Sequence, residues 1–142
     1  MIATTSYPSN VQVLDNPAIE SNIGLLRDRS LRSSAVRSIT KELSQIVSKE
    51  AADALPKETQ KIILIIVLRA GLSMCDPFLD ALPENIDVSV YHIGLYREKK
   101  TLEPVEYYNK LPTQYPGADR VVVVDPLIAT GGTAAATVDI LR

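Results

Sequence analysis

Between Lys61 and Leu68 the chain reads Lys-Ile-Ile-Leu-Ile-Ile-Val-Leu, an unbroken apolar run that is mostly β-branched. A strand with one wet face alternates apolar and polar side chains. An uninterrupted run therefore predicts a strand covered on both faces, as in a parallel sheet. Two similar runs follow, Val88 to Gly94 and Arg120 to Asp125. Helical spacing over Leu72 to Leu82 separates the first pair, and another helix begins near Thr133 after the third run. Strands alternating with helices predict an α/β domain with a mainly parallel sheet flanked by helices. The segment from Arg97 to Tyr115 is long, charged and proline-punctuated, which predicts a functional loop or a protruding hairpin arm.

Ahead of the first run, residues 1 to 10 are polar and read as a loose arm. Asp15-Asn16-Pro17 offers an N-cap followed by proline at the first helical position, predicting a short helix through about Leu26. From Val36, the positions Val36, Ile39, Leu43, Ile46, Val47, Ala51 and Ala54 recur at helical spacing, and an amphipathic helix is expected to end before Pro56. At 142 residues, with 46% apolar and 23% charged side chains, residues 1–142 suit one globular domain. Fifteen basic against 17 acidic residues leave a net charge of −2. That balance excludes an electrostatic grip on bulk nucleic acid or on anionic membrane lipid. No apolar run approaches the ~18 residues a membrane-spanning helix needs. Cys75 is the only cysteine, so no intramolecular disulfide forms, and the N-terminus lacks the basic flank and apolar core of a secretory signal. The expected location is the reducing cytoplasm.

In open α/β sheets, ligands bind at the carboxyl ends of the strands. After the third run comes Asp125-Pro126-Leu127-Ile128-Ala129-Thr130-Gly131-Gly132-Thr133, leading straight into a helix. Adjacent glycines allow a tight turn and close backbone approach, and the helix presents unpaired N–H groups with its positive dipole end. This suits an anion, most plainly a phosphate; the competing reading is a simple strand–turn–helix corner. Thr130 and Thr133 add hydroxyl donors, and Asp125 can accept from sugar hydroxyls or hold a hydrated magnesium ion. Neither G-x-x-x-x-G-K-[ST] nor G-x-G-x-x-G occurs. After the first run, Arg69-Ala70-Gly71 places a guanidinium where it can grip a diphosphate, cap a helix or pair with Asp76. After the second, Gly94-Leu95-Tyr96-Arg97 places another arginine at an equivalent tip.

Taken together, Val67-Leu68-Arg69-Ala70-Gly71-Leu72, His92-Ile93-Gly94-Leu95-Tyr96-Arg97, Thr101-Leu102-Glu103-Pro104-Val105-Glu106-Tyr107-Tyr108 and Asp125 to Thr133 closely resemble the uracil phosphoribosyltransferase family of type I phosphoribosyltransferases. The stretch Val11 to Arg27 is similar to that family too. The most specific piece is the Asp125-Pro126 form of the loop, characteristic of the uracil branch.

The resemblance implies a pyrimidine-salvage transferase that joins uracil to 5-phosphoribosyl diphosphate, giving UMP and diphosphate with Mg2+ as cofactor. It implies that Thr130, Gly131, Gly132 and Thr133 hold the 5′-phosphate and Asp125 the ribose hydroxyls. Arg69 and Arg97 would hold the diphosphate, Asp125 and Arg69 would be catalytic, and Pro126, Leu127, Ile128 and Ala129 would complete the substrate loop. It further implies a non-proline cis peptide near Leu68-Arg69-Ala70, a water-excluding cover from Glu98 to Leu111, and a homo-oligomer. Some relatives are activated by GTP, but no residue here is assigned to that. The family's Gly-Asp-x-Gly-Asp-Arg motif and its uracil loop do not occur. The last residues read as an unfinished helix, so a C-terminally truncated form is expected, with its uracil-binding residues unassigned. The alternatives are a phosphoribosyltransferase for another base, and a non-catalytic phosphoribosyl-diphosphate-binding regulator or inactive fragment. A slightly longer Pro83–Gly94 segment than is usual in the family suggests a loop insertion.

Other residues carry less. His92 reads as a structural histidine within a strand, and Cys75 as a small buried hydrophobe. Gly71-Leu72-Ser73-Met74-Cys75 lacks the second glycine of a G-x-S-x-G nucleophile elbow, which argues against a hydrolase. Arg27, Arg29, Arg32 and Arg37 form a basic cluster best explained as a solvated helix flank.

Overall fold

In the computed structural model, residues 8–98, 101 and 103–142 are described. The elements run α1 (Pro17–Leu26), α2 (Ser33–Asp53), β1 (Lys61–Leu68), α3 (Leu72–Ala81), β2 (Asp87–Arg97), β3 (Pro104–Asn109), β4 (Arg120–Val124) and α4 (Gly132–Ile140). The sheet order is β3-β2-β1-β4, with β1 parallel to both β2 and β4 and β3 antiparallel to β2. The expected α/β architecture is therefore present, and the antiparallel β2–β3 pair is the expected hairpin arm.

β1 is the centre of the fold because both of its faces find cover. Ile62, Leu64 and Ile66 pack with Phe78 of α3 and with Val124. Ile63, Ile65 and Val67 pack with Ile93, against Leu111, Tyr115, Ile140 and Leu141. Ile62 through Val67 are all buried. The run at 120–125 differs from this pattern. β4 has β1 on only one side in this sheet and leaves Val121 and Val123 exposed, and Asp125 lies just beyond its end. β2 reaches three residues past Gly94 because β3 pairs alongside it, with a register irregularity between Gly94 and Leu95.

α1 begins as expected, with the Asn16 side chain accepting from the Ala18 N–H at 2.9 Å and Pro17 in the first turn. α2 begins at Ser33, three residues before the first of the spaced apolar positions, with no side-chain cap. Its buried residues are Ser44 and Ser48, while Val36 and Val47 are exposed. The expected apolar stripe is therefore not what faces the core. Small serines at i, i+4 spacing allow close helix packing, and the larger apolar residues fall to the side. The first seven residues of the N-terminal arm, and Lys99, Lys100 and Leu102 of the cover, lie outside the described residues.

Candidate active site at the carboxyl ends of the strands

Parallel pairing of β1 with both neighbours sends the segments after β1, β2 and β4 out of one end of the sheet. After β1, the Leu68–Arg69 peptide is cis, as the resemblance implied for this loop. The turn then closes with the Gly71 N–H donating to the Val67 carbonyl at 2.8 Å. Gly71 is buried, and a Cβ there would lie 2.6 Å from the carbonyl oxygens of both Val67 and Val124. Only a residue without a side chain lets the Arg69 loop lie against the end of β4, beside Asp125.

After β4, the Leu127 N–H donates to Asp125 Oδ1 at 3.3 Å, and the loop swings outward, leaving Leu127 and Ile128 75% and 66% exposed. Gly131 closes it in the left-handed region, at φ 81°, as the N-cap of α4. The Ala135 N–H donates to its carbonyl at 2.8 Å, leaving the first-turn N–H groups of α4 as free donors for a ligand. Thr137, fully buried, donates to the Thr133 carbonyl at 2.9 Å and anchors this turn.

After β2, Arg97 reaches across to the same loop. Its Nη2 donates to Thr130 Oγ1 at 2.5 Å and lies 2.8 Å from where a Cβ on Gly132 would stand. Arg97, Asp125, Leu127 to Ala129, Gly131 and Thr133 line one hollow of about 210 Å³. The geometry thus joins Arg97 to the loop, whereas Arg69, exposed at the neighbouring tip, is not among the residues lining this hollow. Among the described residues neither Arg69 nor Arg97 makes an ion pair, so Asp76 does not hold Arg69. Pro126 faces a second hollow of about 540 Å³, mostly apolar, where Asp125 and Leu127 meet Leu43, Val47 and Met74. Leu43 and Val47, two of the apolar positions expected on α2, supply one wall of this hollow.

His92, half-buried in β2 opposite Ile66, lines neither hollow. Cys75 packs against the core around Phe78, and burial pushes its thiol up from the ordinary cysteine value. Among the described residues, no group of three or more His, Cys, Asp or Glu side chains is placed to hold a metal. Among the described residues, Asp125 is the one carboxylate lining the smaller hollow. Magnesium takes much of its shell from water and phosphate oxygens, so these residues fit a magnesium ion that arrives on a diphosphate. Among the described residues no helix is long and apolar enough to cross a membrane.

A mainly parallel sheet with a glycine-hinged loop after its edge strand and a hairpin arm beside it is the architecture that phosphoribosyltransferases share. Solved structures share the fold, among them the following two. The AQ2163 protein of Aquifex aeolicus superposes with TM-score 0.75 at 28% identity, covering 89% of this chain and 67% of that one. A hypoxanthine-guanine phosphoribosyltransferase of Bacillus anthracis superposes with TM-score 0.54 at 20% identity, covering 71% and 58%. Residues 56–142 match the sequence model described as uracil phosphoribosyltransferase. The chain is 36% identical over 151 residues to the uracil phosphoribosyltransferase of Lachnoclostridium phytofermentans, covering 94% of this chain and 70% of that protein. It is 43% identical over 141 residues to the urg2 protein of Schizosaccharomyces pombe, covering 99% of this chain and 66% of that one. The chain belongs to the uracil phosphoribosyltransferase family. It spans about two thirds of the length of these relatives.

Proposed function

We propose that this chain carries the phosphoribosyl-diphosphate site of a uracil phosphoribosyltransferase. Its reaction breaks the bond from C1′ to the diphosphate oxygen, joins C1′ to N1 of uracil, and releases the N1 proton, diphosphate and UMP. The observation that carries this reading is the meeting of Arg97, Asp125, Gly131 and Thr133 in one hollow at the start of α4, with Arg97 also hydrogen-bonded to Thr130. Family relatives named for the same activity support it.

In this reading the turn at Thr130 to Thr133 takes the 5′-phosphate, using helix N–H groups and two threonine hydroxyls. Asp125 accepts from the ribose hydroxyls. As diphosphate departs, positive charge grows on the sugar ring, and a carboxylate fixed below it stabilises that charge more than it stabilises the ground state. The two strand-tip arginines hold the anionic groups, and magnesium bound to the diphosphate offsets charge on the leaving group. The adjoining apolar hollow, which shares Asp125 and Leu127, is the surface a planar base would meet. Closure of the β2–β3 arm would exclude water that otherwise competes for the sugar. We place the protein in the cytoplasm as a homo-oligomer; GTP activation belongs to the same proposal, with no residue assigned to it.

The test is titration of the chain with phosphoribosyl diphosphate and magnesium, beside Arg69→Ala and Asp125→Ala, followed by assay of UMP formation. Binding that both variants weaken, with UMP formed by the wild type, supports the reading. Binding without UMP supports a phosphoribosyl-diphosphate-binding regulator built on the same fold. Absence of binding in a folded chain overturns the site.

A further inference from the structure

We infer that Gly94 is the hinge of the β2–β3 arm and that the Tyr107 ring is the stop that sets its angle, which makes Tyr107 a positioning residue for what the arm carries. The hinge is read from the sheet alone; its effect on substrate rests on the proposed function above.

Three features coincide at Gly94. Leu68 opposite Gly94 is the last pair between β1 and β2, so from Leu95 to Arg97 the strand has only β3 beside it. Gly94 pairs with Tyr108 and Leu95 with Glu106, which leaves Tyr107 as the extra residue of a bulge in β3. The Tyr107 ring lies on the backbone of Gly94, where a Cβ would stand 2.6 Å from its Cζ and 2.7 Å from its Cε2. A bulge bends the strand that contains it and sharpens the local twist. A strand glycine, with no side chain to pack, offers little resistance to that bend. The arm therefore turns at the point where β1 lets go of β2.

The ring supplies the restraint that glycine lacks. Gly94 and Tyr96 stand two residues apart on one face of β2. Tyr107 reaches both, its ring centroid 6.2 Å from that of Tyr96 at an interplanar angle of 49°. An aromatic laid across a glycine on the neighbouring strand restores packing that the missing side chain would have given. Movement of the arm toward this face presses the ring onto backbone, and movement away uncovers it. Tyr107 lines neither hollow, so its influence runs through the arm. Three residues beyond the hinge, Arg97 donates to Thr130 Oγ1 at 2.5 Å, a contact that a small rotation at Gly94 would break.

The test is amide hydrogen exchange followed by NMR on the wild-type chain, Tyr107→Ala, Tyr107→Phe and Gly94→Ala, with thermal melts to confirm folding. Tyr107 is exposed, so its truncation leaves the core intact. In Tyr107→Ala, the protected amides of residues 95–97 and 105–106 are expected to exchange about 3- to 10-fold faster, the loss of one aromatic contact. The amides of β1 should keep their wild-type rates, and Tyr107→Phe, which retains the ring, should match wild type throughout. Gly94→Ala should loosen the same arm amides by displacing the ring, and should do so less in a Tyr107→Ala background, where no ring is left to displace. Unchanged arm exchange in Tyr107→Ala overturns the inference, as does an equal acceleration in β1 or a Tyr107→Phe variant that behaves like Tyr107→Ala. Titration of the same variants with phosphoribosyl diphosphate and magnesium is expected to show weaker binding by Tyr107→Ala and wild-type binding by Tyr107→Phe. A folded wild-type chain that does not bind overturns the proposed function, while the exchange rates, which need no ligand, still decide the hinge.

Discussion

Asp119 and Lys61 bind each other in both directions at the amino end of the sheet. The Asp119 N–H donates to the Lys61 carbonyl at 2.9 Å, and the Lys61 N–H donates to Asp119 Oδ2 at 2.9 Å. The Gln60 N–H donates to the same carboxylate oxygen at 2.8 Å. One aspartate therefore fixes the start of β1 against the start of β4, and so sets their register.

That clamp is sensitive to acid. The amide donors, Gln60 first and then Lys61, hold the Asp119 carboxyl below its ordinary value of 3.8. A carboxyl whose folded pKa is depressed adds stability that is complete above the ordinary value and disappears as pH falls through the folded one. Asp119→Asn is expected to lower the urea midpoint near pH 7 and to flatten its fall toward pH 3. Denaturation curves at both pH values check this, and parallel wild-type and variant profiles would contradict it.

At the opposite end, Gly71 has no room for a methyl group, since the nearest atoms are the backbone of Val67 and Val124. Backbone cannot rotate aside as a side chain can. Gly71→Ala is expected to destabilise the fold by roughly 1–3 kcal/mol through forced displacement. It should also weaken phosphoribosyl diphosphate binding, because Arg69 and Asp125 move apart. Chemical denaturation together with titration tests both effects.

Gly131 and Gly132 are adjacent in sequence but needed for different reasons. Gly131 adopts φ 81° with open space around it, whereas Gly132 faces Arg97. Gly131→Ala is expected to cost about 1–2 kcal/mol of stability for the left-handed conformation. Gly132→Ala should leave the melting temperature close to wild type and displace Arg97, lowering anion affinity. Asparagine, which tolerates the left-handed region better than alanine, should partly restore position 131 and not position 132.

In the proposed reaction, Asp125 is the carboxylate that stabilises positive charge on the sugar. Asp125→Asn keeps the shape and removes the charge, and it is expected to cost roughly 3–4 kcal/mol of transition-state stabilisation. Most of that loss should appear in kcat, with a smaller change in substrate affinity. Steady-state kinetics of UMP formation, beside direct titration, separate the two.

Much of the frame was legible because its signals are local. The continuous apolar run of β1 foretold burial on both faces, and Asn16-Pro17 marked the start of α1. Val121 and Val123 misled, since an apolar run does not reveal whether a strand has a neighbour on each side. In α2, periodicity identified the helix but not its packed face, because Ser44 and Ser48 are buried for their small size. The loop from Asp125 to Thr133 stood out through its glycines and threonines. Its contact with Arg97 did not, because 33 residues separate Arg97 from Thr130 and only the sheet order brings them together.

The common direction of β1, β2 and β4 has one more consequence. The acid-sensitive clamp at Asp119 and the loops of the proposed substrate site lie at opposite ends of the same strands, joined by the buried core of β1. Substitutions that adjust the protein's tolerance of heat or acid can therefore accumulate at the amino end without disturbing ligand recognition. The carboxyl end is correspondingly free to change its specificity while the register of the sheet is held from the far side.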